Sequence, residues 1–209
     1  VAIEAVLFDF GGVFTLSPFS AGRAAGEALG VDGEVVLALC FGPYDRDTDH
    51  AWHRMERGEL TLVACRDELI AAAAEAGHDL DPMALLRSMG GEDEQREPMV
   101  ERARAIKARG LKTAVVTNNV KEFGDGWRKM VPVDELFDVV IDSSAVGVRK
   151  PDPRIYEMAL AALGGVEPSS AVLVDDAAGN IAAARAMGLH TVHVGEDRLA
   201  AMAELESLL

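Results

Sequence analysis

The chain has 209 residues, 49% hydrophobic and only 5% aromatic, with a formal net charge of −15 and a pI near 4.7. That length buries a real core, as one domain or as a core carrying an insertion, and the negative charge repels a phosphate backbone or an anionic bilayer, so neither nucleic acid nor membrane is an expected partner. No apolar run reaches the roughly 20 residues that span a bilayer, residues 1–10 lack a basic n-region, and Cys40 and Cys65 lack CxxC spacing, so the expected location is the cytoplasm.

Residues 3–9, IEAVLFD, form an apolar run bounded by acids and closed by Gly11 and Gly12, which predicts a short buried strand. The long segment after it has no strand pattern. SAGRAAGEALG, GEVVLALC, TDHAWHRMER, TLVACRDELIAAAAEAG and DPMALLRSM each read as a helix, with Thr61 as an N-cap, Gly77 as a stop, and Asp81 with Pro82 opening the last one. GGEDEQRE, residues 90–97, carries two glycines and no apolar anchor and reads as a linker. REPMVERARAIKARG is then a helix ending at Gly110. Four more apolar runs, KTAVVT (112–117), FDVVID (137–142), SAVLVDD (170–176) and HTVHV (190–194), are separated by helical patterns that include DPRIYEMALAALGG and AGNIAAARAMG. This alternation predicts an α/β fold, a Rossmann-like parallel-sheet core of residues 1–14 and 98–209. Residues 15–97 are then an inserted α-helical cap with its return linker, joined by two crossings and able to act as a lid.

In a parallel sheet, ligands bind outside the carboxyl ends of the strands. Asp9 ends the first strand, Thr117 and Asn118 end the second, Lys150 follows the third by a short loop, and Asp175 with Asp176 ends the fourth. Taken singly, Asp9 is equally a turn residue, TNN a helix cap and Lys150 a solvated loop lysine. The adjacent carboxylates are harder to dismiss, because they repel one another unless a cation or a proton compensates. Order and strand-end placement together make the set far more specific than its members.

FDFGGV, VVTNN, the Lys150 of VRKPDP and LVDDAAGN resemble the four motifs of the haloacid dehalogenase superfamily, in order and across nearly the whole chain. The chain looks closest to the phosphatase-like subfamily with a small helical cap that includes the N-terminal domain of mammalian soluble epoxide hydrolase. The resemblance implies hydrolysis of a small phosphorylated metabolite through an aspartyl phosphate at Asp9. A carboxylate attacks phosphorus only when the negative charges are offset, so Mg²⁺ held by Asp9, the Gly11 carbonyl and Asp176, with Asp175 in support, is the implied cofactor. Thr117 and the amides around Asn118 would hold phosphate oxygens, partly through a helix N-terminus, and Lys150 would neutralise charge. Asn180 would reach back to a metal water or the substrate. Gly11 and Gly12 let the backbone turn sharply and approach metal and ligand.

One departure matters. Most phosphatases of that superfamily carry a second Asp two residues after the nucleophile, as general acid and base, and this chain has Gly11. General acid–base assistance is worth about 10²–10⁴ in rate, so turnover is expected to be slow or restricted to good leaving groups. The alternatives are a phosphate-binding regulatory protein without turnover and a 2-haloacid dehalogenase, which needs no metal. A replacement proton donor is sought in the polar cluster of GPYDRDTDHAWHRMERGE, where His50 and His53 lie three apart on one helical face, although Asp49 beside them also reads as a solvated helix start. Trp52 is expected in the cap core, and His190 and His193, on a late strand, read as structural or surface groups; Tyr156 and Arg149 acquire no role. Oligomeric state is not legible.

Overall fold

The apolar run before Asp9 becomes the central strand. A computed structural model of the chain describes residues 2–88 and 93–209. Strands β1 (Ala5–Phe8), β2 (Lys112–Thr117), β3 (Val139–Asp142), β4 (Ala171–Asp175) and β5 (His190–His193) form one all-parallel sheet in the order β3-β2-β1-β4-β5. Every residue of β1 is fully buried, which is why its sequence is continuously apolar and does not alternate. The five strands and their parallel pairing agree with the expected Rossmann-like α/β fold.

Between β1 and β2 run α1 (Pro18–Leu29), α2 (Gly33–Phe41), α3 (Ala51–Glu56), α4 (Leu62–Glu75) and α5 (Pro82–Ser88), followed by α6 (Arg96–Ala108). Beyond β2 come α7 (Val133–Leu136), α8 (Ser143–Val146), α9 (Pro153–Ala162), α10 (Ala178–Ala186) and α11 (Arg198–Leu208). The capping chemistry is legible: Thr61 accepts from the Ala64 amide, and Asp152 accepts from the Arg154 amide with Pro153 in the first turn. Helices α6, α7 and α11 cover one sheet face, packing Met99, Ile106, Leu136 and Met202 against Val6, Phe8 and Val174. Helices α9 and α10 cover the other with Ile155, Tyr156, Leu160 and Ala184 against Leu7 and Leu173. Burying side chains of this size is worth about 1.5–3 kcal/mol each. The helices between β1 and β2 build their own core around Val36, Phe41, Trp52, Met55 and Leu69, touched from below by Val120.

Three expectations need correction or limits. The helix expected between the second and third strands does not form as one element; two single 3₁₀ turns, Lys121–Phe123 and Trp127–Lys129, and the one-turn α7 replace it, interrupted by Gly124 at φ 50° and by Pro132. Helix α11 has no counterpart in the sequence reading. Of the expected linker 90–97, residues 90–92 lie outside the described residues, and α6 already begins at Arg96. Cys40 and Cys65 are buried free thiols, pushed up by burial to about 11 and about 12. No described helix is long and apolar enough to cross a membrane.

Both crossings between sheet and inserted helices meet one side chain. Arg198, at the start of α11, donates from Nη1 to the Thr15 carbonyl at 3.0 Å and to Asp93 Oδ2 at 2.8 Å, and its Nη2 also pairs with Asp93. Arg96 Nε adds a bond to the Phe14 carbonyl at 3.1 Å. Both side chains of the Arg198–Asp93 pair are almost completely buried. Arg198→Met should therefore destabilise the fold by about 3–5 kcal/mol, because it leaves Asp93 buried without its counter-charge. Arg54→Ala, which removes a half-exposed pair with Glu68, should cost under about 1 kcal/mol. Urea unfolding of the two variants checks the contrast, and similar midpoints would refute the clamp.

Candidate active site

The strand ends deliver their polar residues to one edge. The Asp9 amide continues the β1–β4 ladder by donating to the Val174 carbonyl at 2.8 Å, so the Asp9 carboxylate projects just past the sheet. Lys150 arrives from the loop after α8, and Asn118 fixes its backbone reciprocally: Asn118 Nδ2 donates to the Lys150 carbonyl at 3.0 Å, and the Lys150 amide donates to Asn118 Oδ1 at 2.7 Å. Lys150 Nζ then lies 2.7 Å from Asp9 Oδ1 and 2.7 Å from Asp175 Oδ2. Asp175 Oδ1 takes further bonds from the Ala177 amide and Asn180 Nδ2, both at 2.9 Å. Asp176 Oδ2 accepts from Ser17 Oγ at 2.7 Å, which ties the site to the start of α1.

Asp9, Asp175 and Asp176 bring carboxylate oxygens within 4.8 Å of one another. Burial drives the Asp9 pKa well above its ordinary value; Lys150 pulls it back, and Asp175 and Asp176 push it up again. Burial and Asp175 push Asp176 up to about 7. Burial opposes the charge on Lys150, but Asp175 and Asp9 outweigh it and hold its pKa above the ordinary lysine value. Fully ionised, three carboxylates against one ammonium would leave two negative charges uncompensated, a deficit that protons meet at raised pKa values or that a divalent cation would fill. The donors are hard oxygens suited to Mg²⁺. Gly12 has φ 69°, and a Cβ there would lie 2.0 Å from Asp176 Oδ2, so only glycine lets this carboxylate approach. A Cβ at Gly11 would meet nothing within 4 Å.

A cavity of about 60 Å³ lies over this cluster, lined from the sheet side by Asp9, Gly11, Asn118, Lys150, Asp176, Ala177 and Asn180, and from the inserted helices by Pro18, Phe19, Tyr44 and Glu56. At about 30 Å³ per water that is room for about two waters. It shares Phe19, Tyr44, Asp176 and Ala177 with a cleft of about 610 Å³ between α1–α2 and the turns after β4 and β5. Asn180 Oδ1 is buried on the cavity wall without a hydrogen-bond partner, an acceptor awaiting a donor.

The structure thus gathers Asp9, Gly11, Asn118, Lys150, Asp176 and Asn180 around one cavity, with Asp175 directly behind Lys150 and not on the wall. Thr117 ends β2 but does not line the cavity; its hydroxyl reaches only the Asn118 carbonyl, at 3.5 Å. The helix N-terminus expected after TNN is absent, and the Asn119 amide is used by Ser143 Oγ. His50 and His53 stay outside the cavity. His50 caps α3 by accepting from the Trp52 amide. His53 is fully buried against Thr48, and burial, Arg149 and His50 push its pKa down to about 3, so it is neutral and has no proton to give near neutral pH. Trp52 is in the helical core, and His190 and His193 are exposed, as expected.

Two residues escaped the sequence reading. Glu56 and Arg149 form a fully buried pair between α3 and the lysine loop, with Arg149 Nε 2.7 Å from Glu56 Oε2. Trp52 Nε1 donates to Glu56 Oε1 at 2.7 Å, and the Arg149 guanidinium lies over the Tyr44 ring, 5.6 Å from its centroid. The available signal was a glutamate four residues after Trp52 on an otherwise apolar helix face, and an arginine beside the motif lysine.

Residues 3–188 match the family described as haloacid dehalogenase-like hydrolase. The chain is 33% identical, over 99% of its length, to acyl-CoA dehydrogenase family member 10 of Mus musculus, and 30% identical over its whole length to bifunctional epoxide hydrolase 2 of the same species; it spans 19% and 39% of those proteins. It is 28% identical to the sesquiterpene phosphatase astK of Aspergillus oryzae, covering 99% of this chain and 96% of that one. Among solved structures, a HAD family enzyme from Bacteroides thetaiotaomicron in complex with magnesium and inorganic phosphate superposes with a TM-score of 0.62 at 18% identity, covering 94% of this chain and 97% of that one. The motif order, the fold and these matches agree: the chain belongs to the haloacid dehalogenase-like hydrolases.

Proposed function

We propose that the chain is a Mg²⁺-dependent phosphoric monoester hydrolase acting on a small phosphorylated metabolite, with Asp9 as nucleophile and residues 15–97 as a cap over the site. The observation that carries this reading is the cluster of Asp9, Asp175 and Asp176 around Lys150 at the mouth of a small cavity. The named phosphatase among its relatives and the magnesium and phosphate in its structural neighbour support it. A haloacid dehalogenase would have to seat an anionic substrate beside uncompensated carboxylates with no cation, so the same cluster speaks against that reading.

Asp9, the Gly11 carbonyl and Asp176 would hold the metal, and Asp175 would support them by fixing Lys150. Bound there, Mg²⁺ supplies the positive charge that lets a carboxylate and a phosphate approach one another. The residues of the chain do the rest. Asp9 bonds phosphorus as the ester oxygen leaves, and water then hydrolyses the aspartyl phosphate. Lys150 stabilises the charge that develops between Asp9 and the transferring group. Thr117, at the end of β2, would have to turn its hydroxyl to reach a phosphate oxygen, Asn118 holds the lysine loop in register, and Asn180 would offer its buried Oδ1 to a metal water or a substrate hydroxyl. The cavity admits a phosphoryl-sized group and the adjoining cleft receives the remainder of the molecule.

Phosphate release should require Mg²⁺, stop on chelation and fall at least 10³-fold in Asp9→Asn, the loss expected when covalent catalysis is removed. A colorimetric assay over sugar, nucleotide, acyl and aryl phosphates checks this; turnover indifferent to chelator, or a robust Asp9→Asn enzyme, contradicts it. The neighbouring glycines should behave oppositely. Gly12→Ala carries about 1–2 kcal/mol of left-handed backbone penalty and collides with Asp176, so it should lower both melting temperature and Mg²⁺-dependent turnover. Gly11→Ala enters open space at ordinary φ and should leave the melting temperature nearly unchanged. Equal melting temperatures for the two variants would show that Asp176 is not approached this closely.

A further inference from the structure

We propose that Glu56, carried across the cleft on α3, is the proton donor to the leaving group and the proton acceptor from the attacking water, the role that Gly11 leaves open beside Asp9. The proposal rests on the phosphatase reading above. It begins with what walls the cavity. Asp9, Asp176 and Glu56 are the carboxyl groups on its described wall, and the first two are engaged with Lys150 and Ser17 and with the cation deficit. From the inserted helices only Tyr44 and Glu56 bring a proton-bearing side chain to the wall. Burial, with Glu56 adding to it, drives the Tyr44 phenol far above its ordinary value, which makes it a poor acid. Glu56 remains. On the opposite side, Gly11 carries no side chain, and a Cβ there would meet no atom within 4 Å.

The hydrogen bonds hold Glu56 without saturating it. Trp52 Nε1 donates to Oε1 at 2.7 Å, Arg149 Nε donates to Oε2 at 2.7 Å, and Ser143 Oγ anchors the Glu56 carbonyl at 2.6 Å. A carboxylate has about four acceptor positions, so these two bonds leave each oxygen with acceptor capacity, and Glu56 is on the cavity wall. A purely structural ion pair would be expected to use the arginine fork in full. Here Arg149 spends one N–H on Glu56, its Nη1 lies 3.6 Å from Asp47 Oδ1, and neither Nη1 nor Nη2 makes a hydrogen bond. Burial raises the Glu56 pKa, and Arg149 offsets that only in part, so the group holds a proton closer to neutral pH than an exposed glutamate does. The same placement explains why the cluster at His50 and His53 stands apart from the chemistry: the acid is on the same helix, but three residues beyond His53 and on the face that meets the core.

The step balances. In the first half-reaction the Asp9 oxygen bonds phosphorus, the bond from phosphorus to the ester oxygen breaks, and that oxygen takes the electron pair and the proton of Glu56, leaving as an alcohol. In the second, water loses a proton to the Glu56 carboxylate as its oxygen bonds phosphorus and the acyl phosphate bond to Asp9 breaks. Inorganic phosphate is released and Glu56 is protonated again.

The test is kcat/KM with saturating Mg²⁺ for a series of phosphate monoesters, from aryl to alkyl, in the native enzyme and in Glu56→Gln. With the proton supplied, the native enzyme should depend only weakly on leaving-group pKa. Glu56→Gln should lose less than about tenfold on aryl phosphates but about 10²–10⁴ on alkyl phosphates. Equal losses on both classes would make Glu56 a structural residue and overturn the proposal, and so would an unchanged alkyl rate. Should Glu56→Gln fold poorly, the native series still decides: a steep dependence means no proton is delivered, and the idea fails while the phosphatase reading stands. No phosphate release from any ester would remove both.

Discussion

One buried ammonium holds the carboxyl edge of the sheet together. Lys150 Nζ sits 2.7 Å from a carboxylate at the end of β1 and 2.7 Å from another at the end of β4, with its side chain 1% exposed. Burying a lysine is costly, and it stays charged only because Asp9 and Asp175 outweigh the loss of water. The constraint runs the other way as well. With Asp176 added, the ionised carboxylates exceed what one lysine can compensate, and the three together could hold a cation. Asn118 holds the lysine loop, Ser17 holds Asp176, and glycine at position 12 keeps the backbone out of Asp176's way.

The inserted helices are fitted to that edge on one side and stand off it on the other. Near α3 the contact is intimate: a Cβ at Gly58 would lie 2.5 Å from the Ser144 carbonyl, Ser143 Oγ bonds the Glu56 carbonyl, and Glu56 pairs with Arg149 next to the catalytic lysine. Toward α1 and α2 the two parts face one another across the cleft of about 610 Å³, although Gly179 still meets the Tyr44 backbone closely. Arg198 ties the two crossings together, and the α3 contacts tie the inserted helices to the core. A carboxyl group on α3 is held relative to Asp9 as firmly as one on a core loop, which is what proton transfer to a positioned oxygen demands.

The strands and the motif residues were legible because each is a local signal. IEAVLFD, KTAVVT and SAVLVDD are continuous apolar runs that only a sheet covered on both faces can bury, and the polar residues follow directly at their ends. What the sequence hid is tertiary. That Glu56 faces the core and His53 faces inward is set by how a helix of six residues rolls against α8 and the lysine loop, and no spacing in AWHRMERGE records that roll. Arg149 acquired no role in the sequence because its partner lies 93 residues away. The stretch after TNN read as a helix, yet two glycines and a proline within residues 124–132 break it into single turns. In that region the expected helix N-terminus is lost, and Thr117 stands off the cavity wall.

The central claim is that this carboxylate cluster lacks a divalent cation's worth of charge, and calorimetric titration of Mg²⁺ into the chelator-treated protein tests it without any substrate. The account predicts one saturable site in the native protein, lost in Asp176→Asn while that variant stays folded by circular dichroism. Absence of saturable binding in the native protein, or undiminished binding in Asp176→Asn, would contradict it.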